Sequence, residues 1–86
     1  YKLFKYNKNH DLIEESGFEG GQQRYLWQYT YNKKRVLTKR KDFIGQGQLL
    51  RTHDYRYDDG SLLVQEDIKN AAGSLERVVK VRYEFY

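Results

Sequence analysis

Three successive stretches of this chain carry the same spacing of aromatic, polar and aliphatic residues, and that recurrence limits the fold more than any other feature. Phe4-Lys5-Tyr6-Asn7 precedes Leu12-Ile13, Tyr29-Thr30-Tyr31-Asn32 precedes Val36-Leu37, and Tyr55-Arg56-Tyr57-Asp58 precedes Leu62-Leu63. The second aromatics, Tyr6, Tyr31 and Tyr57, are 25 and then 26 residues apart. A fourth copy begins at Tyr83-Glu84-Phe85. Self-similarity at such a period predicts an array of supersecondary units, none of which buries its apolar face alone.

Between the turn signals, apolar and polar residues alternate at period 2, as half-buried strands require. Tyr25, Trp27, Tyr29 and Tyr31 fall on one face, with Leu26, Gln28 and Thr30 on the other. Val79, Val81, Tyr83 and Phe85 alternate in the same way with Lys80, Arg82 and Glu84. Turn-forming residues follow each second aromatic, at Asn7-Lys8-Asn9-His10, Asn32-Lys33-Lys34-Arg35 and Asp58-Asp59-Gly60-Ser61. Asp59-Gly60 predicts a type I′ hairpin, in which both central residues have positive φ. Half a unit later come Gly20-Gly21, Gly45-Gln46-Gly47 and Asn70-Ala71-Ala72-Gly73. Strands are therefore expected near 1–7, 11–19, 23–32, 35–44, 48–58, 61–69 and 75–86. The fold predicted is all-β: an antiparallel up-and-down meander of seven strands built from three units, with its sheet curled or extended. No helix remains to cover its apolar face, so the sheet must curl on itself, pair face to face or continue into further units.

Composition agrees with a thin, wet sheet. Only 38% of the 86 residues are hydrophobic and the mean hydropathy is -1.00, yet 16% are aromatic, nine of them tyrosine. Tyrosine packs through its ring and hydrogen-bonds at its tip. Proline is absent, as long paired strands demand. So is cysteine, which removes disulfides and thiolate metal sites. No apolar run approaches the roughly 18 residues of a membrane helix. The chain has no initiator methionine and opens within the pattern, so residues 1–86 read as one domain taken from a longer array.

The unit aromatic-x-Tyr-[Asn/Asp]-x-x-x-Leu-[Leu/Ile], written as Tyr55-Arg56-Tyr57-Asp58-Asp59-Gly60-Ser61-Leu62-Leu63, resembles the YD-repeat of the RHS class and related tyrosine-rich repeats of bacterial surface proteins. The resemblance runs through three units and a stub, with Asn7 and Asn32 at the aspartate position. It implies extended β-sheet, a scaffold or binding surface outside the cell, in the envelope or in a toxin-related protein, and no catalytic residue.

Side-chain chemistry points the same way. His10 and His53 are the only histidines; His10 lies in a turn, and His53 is followed by Asp54, whose side chain must leave the opposite face of the strand. Glu14 and Glu15 diverge likewise, and Asp58-Asp59 is turn chemistry. No nucleophile, metal-ligand set or phosphate-cradling loop can be assembled, so no catalytic residue, cofactor or metal is expected. The basic stretch Lys33, Lys34, Arg35, Lys39, Arg40 and Lys41 beside an aromatic strand has the ingredients of a nucleic-acid platform. Alternation, however, divides Arg40 from Lys39 and Lys41, and the net charge of +4 is mild. Edge-protecting lysines on a solvated strand are the plainer reading. The row Tyr25, Trp27, Tyr29 and Tyr31 is either the packed face or a surface for a glycan or a protein partner. The expectation is thus a non-enzymatic structural and interaction module, associating with neighbouring repeats or with itself; a glycan-binding module is the alternative, and a nucleic-acid surface a second.

Overall fold

The computed structural model describes residues 1–45 and 47–85; Gln46 of the expected Gly45-Gln46-Gly47 turn and Tyr86 of the last expected strand lie outside them. Seven strands follow in sequence: β1 (Lys2–Tyr6), β2 (Leu12–Glu19), β3 (Gln22–Tyr31), β4 (Leu37–Ile44), β5 (Gln48–Tyr57), β6 (Leu63–Asn70) and β7 (Leu75–Lys80). They form one sheet in the order β1-β2-β3-β4-β5-β6-β7, each antiparallel to its neighbours. The sheet does not close, and β1 and β7 are its edges. Among the described residues there is no helix, hence none long and apolar enough to cross a membrane. The all-β meander is as expected. The last strand is shorter than 75–86, although Val81 N still donates to Val64 O at 3.0 Å.

One loop shape recurs four times. Asn7, Asn32, Asp58 and Asn70 each open a hairpin loop, and the residue three positions on has positive φ: His10 (66°), Arg35 (64°), Ser61 (64°) and Gly73 (87°). In every case the side-chain Oδ1 of the first residue accepts two backbone N–H groups. Asn7 takes Asn9 and Asp11, Asn32 takes Lys34 and Val36, Asp58 takes Gly60 and Leu62, and Asn70 takes Ala72 and Ser74, all at 2.8–3.1 Å. Asparagine and aspartate serve equally, since the cap needs only an oxygen at this reach. This overturns the type I′ turn expected at Asp59-Gly60: the residue with positive φ is Ser61, and Gly60 is not among those with positive φ. The dipeptide occupies the first two places of a three-residue loop instead. The two-residue turn with both φ values positive is Gly20-Gly21, at 60° and 78°.

Each of the six strand pairs also carries one register shift. On one set of pairs it falls between Lys5/Tyr6, Thr30/Tyr31 and Arg56/Tyr57, so that Tyr6, Tyr31 and Tyr57 meet Leu12, Leu37 and Leu63. The residue left over opposite is Ile13, Thr38 or Val64, β-branched each time. Such bulges bend a strand and increase its twist. The recurring tyrosines also tie the strands together: Tyr31 Oη donates to Leu12 O at 2.7 Å and Tyr57 Oη to Leu37 O at 2.6 Å.

The sheet has no oily centre. Among the described residues none that is hydrophobic is buried, whereas Ser16, Asp42, His53 and Asp67 are. The accessible surface is 6616 Å², against about 5,400 Å² expected of a compact monomer of this mass. The radius of gyration, 14.9 Å, likewise exceeds the roughly 12 Å of a compact chain of this length. A single open layer, wet on both faces, accounts for both numbers.

Candidate functional site

Strand pairing sets the rows of the aromatic face. Phe4, Glu15, Trp27, Asp42 and Arg51 lie opposite one another across β1 to β5, and Tyr29, Arg40, His53, Ile68 and Arg77 across β3 to β7. Directly paired residues share a face. Tyr25, Trp27, Tyr29 and Tyr31 therefore stand on one side, as alternation required, and all four are half-buried.

These rings are engaged with polar partners. Tyr25 Oη donates to Glu15 Oε2 at 2.7 Å, and its ring lies 4.8 Å from that of Trp27. Tyr25 also covers Gly17, where an added Cβ would run into the ring. The Arg40 guanidinium sits over Trp27, 5.2 Å from the ring centroid, in cation–π range. The hydrogen bond to Glu15 holds the Tyr25 phenol above its ordinary pKa, and burial does the same for Tyr29, Tyr31, Tyr55 and Tyr57.

At the centre of the face is a polar hub that spans β4, β5 and β6. Arg40 grips Asp42 with two bonds, Nε to Oδ1 at 2.7 Å and Nη2 to Oδ2 at 3.0 Å. His53 lies between two carboxylates, with Nε2 at 2.9 Å from Asp42 Oδ2 and Nδ1 at 2.6 Å from Glu66 Oε2. Arg40 Nη2 is also 3.0 Å from His53 Nε2. An imidazolium donates to both carboxylates; a neutral ring donates to one and can accept from Arg40. With its side chain 8% exposed, His53 is shielded by its neighbours, and Tyr55 stacks beside it at 6.4 Å. Burial opposes the charge of Arg40, but the Asp42 carboxylate outweighs it and keeps the guanidinium above its usual pKa. Every buried side-chain nitrogen and oxygen among the described residues has a hydrogen-bond partner. Removing one partner from such a network strands a buried charge, while a slip of one residue would put the groups on opposite faces. The hub therefore fixes the register of three strands.

Chemically the hub is committed to itself. Asp42 and Glu66 approach opposite nitrogens of the imidazole and do not converge on a common point, and among the described residues no cluster is disposed to hold a metal ion. Asp54 is not a partner of His53: it leaves the other face, where Lys39 and Lys69 approach it at 3.7 and 3.3 Å.

The basic stretch is dispersed. Lys33, Lys34 and Arg35 lie in the β3–β4 loop, where Arg35 reaches back to Asp11 with Nη2–Oδ1 at 2.9 Å and to Asn9 O at 2.8 Å. That guanidinium holds the Asp11 carboxyl below its ordinary pKa. Arg40 joins the hub, while Lys39 and Lys41 project from the opposite face, Lys41 opposite Gln28 and Thr52. These six residues form no continuous patch. Of the hub, the sequence marked Arg40 only as one of the basic stretch and His53 only in order to set it aside; Asp42 and Glu66 were missed. A signal existed, because Arg40 and Asp42 are two residues apart on one strand and share the aromatic parity. No protein-family model matches the chain, and neither does any curated protein or solved structure.

Proposed function

We propose that this chain is a non-enzymatic structural and interaction module, a segment of a longer tyrosine-rich β-repeat sheet at or beyond a bacterial cell envelope, whose partners are further units added at its edges. The observation that carries this reading is the surface left uncovered: about 1,200 Å² more than a compact monomer exposes, comparable with a small stable interface. Large apolar side chains are exposed on both edges, Tyr1, Leu3, Phe4 and Tyr6 on one and Leu75, Val78, Tyr83 and Phe85 toward the other. Open apolar edges are templates for strand addition. The joints already present supply the pattern, since each added unit would repeat the tyrosine-to-carbonyl bond, the capped loop and the bulge. The bacterial surface setting rests on the resemblance of the unit alone.

The test is to insert a second copy of residues 32–57 after Tyr57, which places Tyr57 before Asn32 as Tyr31 now is. In a one-dimensional array each added unit brings a new interface, so the longer chain should unfold at higher temperature and urea concentration. An unchanged or lower midpoint would overturn the array reading.

A further inference from the structure

Beside the hub, on the same face, lies a groove of about 430 Å³ lined by Arg51, His53, Ile68, Glu76 and Arg77. Arg51 and Arg77 hold the same place in successive hairpins: Arg51 pairs with Asp42 and Arg77 with Ile68, each 26 residues further along the chain. They flank β6 from β5 and β7, two strand spacings (about 10 Å) across the sheet and offset by two residues (about 7 Å) along it, since Arg51 pairs with Asn70 and Arg77 with Ile68. Between them the floor is Ile68, which pairs with His53 on one side and Arg77 on the other. In the preceding unit that floor position is Asp42, facing Arg51 but already bonded to Arg40 and His53. An aliphatic side chain thus stands where a carboxylate could have neutralised the two guanidinium groups.

The remaining acid is Glu76, whose Oε1 is 3.9 Å from Arg51 Nε, with both side chains more than two-fifths exposed. At that length and exposure the pair holds Arg51 loosely. Arg77 has no hydrogen-bonding or charged partner among the described residues. The ring nitrogens of His53, at the end of the groove, are taken by Asp42 and Glu66. Two guanidinium forks above an apolar floor match an oxyanion carried on a carbon skeleton, because the planar donor set meets paired oxygens and the skeleton covers the floor.

We infer that this groove binds the oxyanion of a small organic acid, a carboxylate held between Arg51 and Arg77 with its carbon framework resting on Ile68. The site is complete within the chain and does not depend on the array reading. The test is an NMR titration of the full chain at fixed ionic strength, following the Ile68 methyl and arginine Nε–H signals, with inorganic phosphate, acetate and galacturonate as separate probes. Galacturonate should give saturable shifts at Ile68 and both arginines, and should bind more tightly than acetate or phosphate. Arg77→Gln should weaken it at least tenfold, and Glu76→Gln should strengthen it by freeing Arg51. Lys33→Gln, an equal loss of charge in a loop at one end of the sheet, should leave it unchanged. The proposal is overturned if no probe shifts Ile68 saturably, or if Lys33→Gln weakens binding as much as Arg77→Gln. Equal affinity for phosphate and galacturonate would refute the role given to Ile68.

Discussion

Ser61 and Gly73 occupy the same place in loops of the same shape, with φ of 64° and 87°, so exchanging the kind of residue at each should have opposite effects. An L-residue in the left-handed region costs about 1–2 kcal/mol through its Cβ. Glycine avoids that but enlarges the unfolded ensemble, a loss of about 0.4–1 kcal/mol. Ser61→Gly should therefore stabilise by about 0.5–1 kcal/mol, or about 2–8 °C in Tm for a chain of this size. The Ser61 side chain makes no hydrogen bond among the described residues, so no other loss enters. Gly73→Ala should destabilise by a like amount, and nothing lies within 4 Å of the added Cβ to confuse backbone strain with a clash. Together the two changes should nearly cancel. Thermal and urea unfolding followed by circular dichroism measures all three variants. Shifts of the same sign for Ser61→Gly and Gly73→Ala would refute the assignment of strain to this loop position.

Other consequences are equally direct. Tyr57→Phe removes the bond to Leu37 O and should cost about 1 kcal/mol in urea unfolding, with a similar loss for Tyr31→Phe and near-additivity in the double variant. His53→Ala strips a partner from Asp42 and Glu66 and should cost about 3 kcal/mol, several times what Lys41→Ala costs by the same assay; equal costs would dispose of the hub as a register lock. Gly17→Ala should displace the Tyr25 ring and weaken its bond to Glu15, seen as altered near-ultraviolet circular dichroism together with lower stability. Because the folded-state pKa values of Tyr25, Tyr29, Tyr31, Tyr55 and Tyr57 are raised, their contribution is whole below the unfolded value near 10 and is lost as pH rises through the folded values. Phenolate absorbance should thus lag behind that of free tyrosine, then rise with unfolding; ordinary titration of all nine would refute it. For Asp11 the sign is reversed: its lowered pKa gives stability that is present above the unfolded value and lost as pH falls through the folded one, and Arg35→Gln should abolish that acid-side loss.

The seven strands were legible because period-2 alternation and turn residues fall at matched places, and nothing in the chain competes with them. What could not be read was register. Leu12-Ile13, Val36-Leu37 and Leu62-Leu63 look like equivalent pairs in print, but the bulges align Leu12, Leu37 and Leu63 and leave Ile13, Thr38 and Val64 over. The same shift explains Asp59-Gly60, which suits a two-residue turn and also a three-residue loop; the cap by Asp58 and the bulge at Val64 decide for the latter. The hub was hidden for a related reason. Arg40, Asp42, His53 and Glu66 come from three strands, and their meeting depends on offsets that no single strand specifies. The parity that divided Arg40 from Lys39 and Lys41 was visible, and the structure bears it out.

In this order each strand is hydrogen-bonded only to its neighbours in sequence, and the first and last strands are opposite edges. Pulled by its ends, the sheet would be loaded at its outermost strands, where hydrogen bonds break in succession instead of shearing all at once. It should lengthen hairpin by hairpin at modest force and, because each strand pairs with the next in sequence, re-form as readily when released. Under load such a sheet would give way in steps of one hairpin.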